Sequence, residues 1–187
     1  MKKCLLGVLF CCCSALANAD VSYTNFGVGI VDGDIFGRGA DGFDLRGSFG
    51  FLDNFHAYAS FQTLDTRINI PGVGVIDADV DRFDIGGGYH LELVQDLDFV
   101  ATFGIVDFDN GNGSSDGIQA SAGVRGSLDN YIEYSVEAVY ENLDDIDSDT
   151  GLQLGARYYL TRFNSVGLTI RDVGGFDLVR LDFRFDY

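Results

Sequence analysis

In the last nine positions of this chain every second residue is apolar. Val179, Leu181, Phe183, Phe185 and Tyr187 fall on one face, and Arg180, Asp182, Arg184 and Asp186 on the other. A period of two is the signature of a β-strand, whose successive side chains point to opposite faces. The same alternation recurs upstream: Phe43 to Phe51, Phe83 to Leu91, Ile118 to Val124, Leu152 to Leu160 and Val166 to Ile170 each carry apolar residues on one parity and charged, hydroxyl or glycine residues on the other. Helical periodicity is nearly absent, so the fold class is all-β.

Two kinds of connection separate these segments. Short turns, flanked by aromatics, are expected at Leu52-Asp53-Asn54, Gln95 to Asp98, Leu128-Asp129-Asn130 and Thr161 to Asn164. Longer loops, rich in Asp and Gly, are expected at about 32–41, 65–80, 107–117, 142–151 and 172–177. Together they divide the chain into ten strands, with eight as the alternative because the Gly-rich first strand, Val21 to Val31, carries the weakest pattern. Pro71, the only proline, falls in the longest expected loop, where it interrupts no ladder.

The amino terminus is of another kind. Lys2 and Lys3 precede an apolar run from Cys4 to Ala17, and Ala17-Asn18-Ala19 fits a cleavage site, so residues 1–19 are expected to be a signal peptide cut between Ala19 and Asp20. The run is too short to span a bilayer as a helix. Its removal takes both lysines and all four cysteines, leaving a domain over 20–187 with no thiol to form a disulfide and only Arg as cation. With 16 Phe and 9 Tyr the chain cannot be disordered, and a net charge of −17 argues against binding nucleic acid through its phosphates.

An exported all-β chain with polar and apolar faces has two solutions. In a soluble barrel the apolar face turns inward. In a membrane barrel it turns outward to lipid and the polar face fills the lumen, and the sheet must close because hydrocarbon leaves no backbone group unpaired. Aromatics beside the short turns (Phe51, Phe55, Tyr89, Phe99, Tyr131, Tyr158, Phe163 and Tyr187) fit an interfacial girdle and favour the membrane solution: a closed antiparallel up-and-down transmembrane β-barrel.

The terminal strand Val179 to Tyr187, the Leu-Asp-Asn turns and Gly123-Val124-Arg125-Gly126 resemble the small outer-membrane β-barrel proteins of Gram-negative bacteria, the opacity-type and OmpA-like or OmpX-like barrels. The resemblance covers the signal and nearly all of 20–187. It implies Sec-dependent export, insertion into the outer membrane with both termini periplasmic, and contact with lipid and lipopolysaccharide. It also implies that Val179, Leu181, Phe183, Phe185 and Tyr187 form the signal read by the barrel-assembly machinery. The best-known members have eight strands, against ten expected here.

Candidate functional residues follow from the faces. Asp44, Arg46, Arg82, Asp84, Arg125, Glu133, Glu137, Arg157, Arg171, Arg180, Asp182 and Arg184, with Asp186, are expected to point into the lumen as an ion-paired network, since an isolated charge in a narrow barrel is costly. Most remaining acids, Glu141 among them, are assigned to acidic extracellular loops. Asp144, Asp145, Asp147 and Asp149 form a weak candidate for Ca²⁺ or Mg²⁺, although Thr150 and Ala156 break the EF-hand pattern. No other cofactor is implied. His56 and His90, both beside short turns, lack any catalytic or metal spacing, so an enzyme is not expected. The expected role is structural or surface-interacting, as a monomer. The alternatives are a narrow cation-preferring channel and a soluble periplasmic barrel with an apolar ligand.

Overall fold

A computed structural model of the chain describes residues 21–70, 74–109, 111, 113–129, 131–144 and 146–187. The expected signal and its cleavage point at Ala19–Asp20 lie outside the described residues, as do Pro71 and Asp145. Ten strands follow in order: β1 (Asn25–Ile35), β2 (Arg38–Phe51), β3 (Phe55–Ile70), β4 (Gly74–Val94), β5 (Leu97–Asp109), β6 (Ser114–Leu128), β7 (Ile132–Leu143), β8 (Ile146–Thr161), β9 (Asn164–Val173) and β10 (Phe176–Asp186). Each pairs antiparallel with its neighbours in sequence, and β1 pairs with β10 from Asn25↔Asp186 to Ile35↔Phe176. The sheet is therefore a closed up-and-down barrel, and the expected ten strands are found. Both the start of β1 and the end of β10 lie at the end carrying the short turns.

The apolar parity faces outward. On β1, Ile30 is 64% exposed while Val31 is 3% exposed. Phe49, Phe103, Ile105, Leu152, Leu160, Leu181 and Phe185 are likewise exposed. The side chains of β10 divide as expected: Val179, Leu181, Phe185 and Tyr187 are exposed, whereas Asp182, Arg184 and Asp186 are buried in the lumen. Aromatic rings meet around the short-turn end, Phe55 lying 5.2 Å from Tyr89 and 6.3 Å from Phe51, with Tyr131 stacked 6.3 Å from Tyr158.

The opposite end departs from expectation. The long Asp-rich loops are mostly strand. β1 and β2 are joined only by Phe36 and Gly37, and β9 and β10 only by Gly174 and Gly175, all four with positive φ. Two consecutive left-handed residues form the tight hairpin turn that matches the twist of paired strands. What changes beyond the apolar band is the polarity of the faces. Outward positions become acidic: Asp32, Asp34, Asp41, Asp65, Asp79, Asp81, Asp107, Asp109, Asp116, Asp172 and Asp177 are all exposed on strands. Inward positions become apolar: Val31, Ile35, Ala40, Leu64, Val80, Val106, Phe108, Leu143, Phe176 and Leu178 pack as one buried cluster. The two-residue period continues while the polarity of the two faces inverts. Reading Asp as a loop residue mistook a wet strand for a turn.

The inward cluster caps the barrel at the hairpin end. Phe176, 2% exposed, sets its ring edge-on to Phe36 at 5.3 Å and Phe108 at 5.5 Å. Truncating a fully buried aromatic removes its transfer energy and leaves a cavity. Phe176→Ala is expected to lower unfolding stability by about 3–5 kcal/mol, read as a shift of the urea midpoint in detergent micelles.

Candidate functional site

Below the cap, the lumen is filled by side chains from all around the barrel. Three groups of charge can be followed along its axis. Next to the cap, Arg82 donates to Asp84 (2.8 Å), to both oxygens of Glu141 (2.9 and 2.8 Å) and to Gln119 (3.0 Å), while its guanidinium lies 5.6 Å from the centre of the Phe176 ring. Arg171 donates to the same Glu141 (2.5 Å) and Gln119 (3.0 Å), and the Ser60 hydroxyl donates to Asp84 (3.0 Å). In the middle, Arg46 pairs with Asp44, Arg180 stands 3.6 Å from Asp44 and 3.7 Å from Asp182, and Arg157 donates to Asp182 at 2.5 Å.

The third group lies toward the short turns and is centred on Glu133. It accepts from Arg125 Nε (2.9 Å), Arg184 Nη1 and Nη2 (3.1 and 2.8 Å) and the Tyr159 hydroxyl (2.8 Å). Arg184 also reaches Asp186 at 2.9 Å. Glu137 accepts from Ser121 at 2.7 Å. The three groups together hold seven guanidinium and seven carboxylate groups. Pairing of this kind is what a narrow, poorly hydrated interior requires, since either partner alone would leave an uncompensated charge.

Glycines give these large side chains their space. A Cβ on Gly167 would come within 2.6 Å of the Arg157 guanidinium, and one on Gly29 would press against the Asp44 and Asp182 side chains. The Tyr58 hydroxyl fills the room left at Gly86 and Gly104. The Gly86-Gly87-Gly88 run is strand, and Gly86 and Gly88 make way for the Tyr58 and His56 side chains.

All the expected lumen residues are on the inner face. Glu141 was expected in a loop, and the structure corrects this: it is 3% exposed and bridges Arg82 and Arg171. Its parity with Glu133 and Glu137 along β7 carried that information, but its place beside an Asp-rich segment hid it. Gln119 and Tyr159, both on polar parities, also join the network. Of the candidate cation loop, the side chains of Asp144 and Asp149 are described. Asp145 and the Asp147 side chain lie outside what is described, Asp144 and Asp149 are exposed, and the described residues gather no group of three side chains able to hold a metal.

A cavity of about 280 Å³ remains between the charge groups. Arg46, Tyr58, Ser60, Thr102, Ser121 and Gln153 line it, Phe176 and Leu178 of the cap meet it at one end, and Tyr23 and His56 at the other.

The acidic belt on the outside has its own electrostatics. Its carboxylates stand directly opposite one another across the strands: Asp32↔Asp41, Asp41↔Asp65, Asp65↔Asp79, Asp81↔Asp109, Asp107↔Asp116, Asp172↔Asp177 and Asp34↔Asp177. Like charges so placed are unfavourable. Beyond the apolar band, the Asp172 carboxylate holds the Asp177 carboxyl above the usual carboxylate range, and the hydrogen bond with Asp116 does the same to Asp107.

Comparison with solved structures finds likeness of fold. The KdgM porin matches with 9% identity over 87% of this chain and 99% of that chain, at a TM-score of 0.54. The NanC porin matches with 9% identity over 88% and 98%, at 0.51. An outer membrane channel from Pseudomonas putida F1 matches with 8% identity over 95% and 100%, at 0.50. No family model matches the chain, and no curated protein does.

Two measurements test this site. Glu133→Ala leaves Arg125, Arg184 and Tyr159 facing a gap, and is expected to cost about 3–5 kcal/mol of unfolding stability, the usual loss when one partner of a buried pair is removed. The belt should respond to pH through its repelling carboxylates. A carboxyl raised in the fold binds its proton more tightly there than in the unfolded chain, so its repulsion is relieved as pH falls from neutrality toward about 4. Asp177→Asn is expected to flatten that part of the stability–pH curve. A curve parallel to the parent's would show that the belt carries no such strain.

Proposed function

We propose that this chain is an integral outer-membrane β-barrel with a closed lumen, serving as a structural and surface-interacting element. The observation that carries the reading is the order of layers along the barrel axis. An apolar outer band runs from the aromatic girdle to the Asp belt, an ion-paired lumen lies inside it, and an apolar cap closes the lumen at the hairpin end. The outer face between Val179 and Tyr187 is the kind of surface that hydrocarbon accepts. A soluble barrel with an apolar ligand needs the reverse arrangement, an apolar cavity inside a polar wall, and the charged lining of the cavity argues against it.

On this reading both termini and the short turns face the periplasm, and the belt and hairpins face outward, at the level of the lipopolysaccharide headgroups. The terminal strand would serve as the signal for the barrel-assembly machinery, after Sec-dependent export and removal of residues 1–19. Kinship with the opacity-type and OmpA-like barrels rests on that strand and the Leu-Asp-Asn turns. The porin-like alternative draws on the fold shared with the KdgM and NanC porins. Against it, wide channels are built from 16–18 strands in porins, whereas about ten leave room for little beyond the side chains.

The test is planar-bilayer recording of the refolded protein. A capped and ion-paired lumen predicts no discrete single-channel steps from the parent chain. Regular cation-selective steps from the parent would replace this reading with the narrow channel.

A further inference from the structure

At the short-turn end, the residues just before β1 fold back across the barrel mouth. The Tyr23 ring lies face to face with His90, the centroids 3.6 Å apart and the planes within 7°, and stacks on His56 at 5.0 Å. The two imidazoles are 5.7 Å apart. The Arg125 guanidinium sits 5.1 Å from the centre of the Tyr23 ring, and the phenol donates to Asp98 at 2.8 Å. The backbone is fastened as well. The Ser48 hydroxyl donates to the Tyr23 carbonyl (2.8 Å), the Gly50 amide to the Thr24 hydroxyl (3.0 Å) and the Tyr187 amide to the Thr24 carbonyl (3.0 Å). A side chain at Gly88 would collide with the His56 ring, so the glycine keeps that imidazole in place beneath Tyr23. Tyr23, His56 and Arg125 are at once parts of this stack and walls of the lumen cavity.

We propose that Tyr23 is a proton-released stopper: protonation of His56 and His90 displaces it and opens the lumen cavity toward the short-turn end. Among the described residues, the charged and titratable groups that face Tyr23 are His56 from β3, His90 from β4, Asp98 from β5, Arg125 from β6 and Glu133 from β7, while β2 adds the neutral Ser48 hydroxyl. Glu133 is already engaged by Arg125 and by Arg184 of β10. Asp98 is therefore left to balance any cation added to the stack. One imidazolium joins Arg125 beside the ring. A second makes three cations around it, and like charges at this range repel. In the closed mouth the His56 imidazole is buried beneath the stack, whereas with Tyr23 withdrawn water reaches it. Protons thus bind the open form better, and by linkage acid shifts the population toward it. The cap at the hairpin end is untouched by this change, so the opened cavity is a cup with one mouth. The inference goes beyond the closed-lumen reading and does not depend on which side of a membrane the mouth faces.

Histidine's ordinary titration range sets the conditions of the test. In the full chain, with Cys4→Ser, Cys11→Ser, Cys12→Ser and Cys13→Ser, a single cysteine replacing Val21 carries a nitroxide, and the refolded barrel is followed by electron paramagnetic resonance. An immobilised spectrum is expected at about pH 7.5 and at least about twice the mobile fraction at about pH 5, the two sides of that range. Tyr23→Ala is expected to be mobile at both values. His56→Gln with His90→Gln is expected to stay immobilised at both. A parent spectrum unchanged between the two pH values would overturn the proposal, as would a pH response that survives loss of both histidines. The parent titration decides even if a variant does not fold.

Discussion

Every charge inside a ten-stranded barrel must find a partner within the barrel, and the rest of this structure is arranged around that constraint. Inside a barrel of this width an isolated, unpaired ion is costly. Seven arginines, Arg46, Arg82, Arg125, Arg157, Arg171, Arg180 and Arg184, therefore pair with Asp44, Asp84, Glu133, Glu141, Asp182 and Asp186, some along one strand and others between strands distant in sequence. Planar guanidinium forks suit this task because one group can bridge two carboxylates, as Arg82 does between Asp84 and Glu141. The glycines on β1, β4, β5 and β9 follow from the same constraint, since the forks and rings need the volume that a Cβ would occupy.

The same ten strands change the character of their two faces along the barrel axis. Within the band the barrel is apolar outside and charged inside. Beyond it, from Asp32 on β1 to Asp177 on β10, the barrel is acidic outside and apolar inside, as a water-soluble barrel would be. The net charge of the whole chain thus resolves into a balanced lumen and an outer belt that carries much of the excess. Where the polarity inverts, the cap replaces the ion pairs as the filler of the lumen, and Arg82 under the Phe176 ring is the point at which the two fillings meet.

Much of the fold was legible in residue parity. The strand number and the outward apolar face followed from it, because a period of two survives whatever each face meets. The hairpin end was less legible for the same physical reason that makes it interesting. Asp and Gly mark loops in ordinary domains, so Asp32-Gly33-Asp34 and Asp107-Phe108-Asp109 read as turns, and Glu141 was carried out of the lumen with them. The Tyr23 stack left no periodic trace. It depends on rings from β3 and β4 meeting a residue that precedes the first strand, a contact that only closure of the barrel creates.

The central claim is that the polarity inversion marks the edge of a membrane. The most direct test is nuclear Overhauser transfer between lipid acyl chains and backbone amides, with the barrel in lipid nanodiscs. The account predicts acyl contacts along Val179 to Phe185 and Phe26 to Ile30, ending abruptly before Asp177 and Asp32. Acyl contacts that run through the Asp belt, or none along the apolar band, would contradict it.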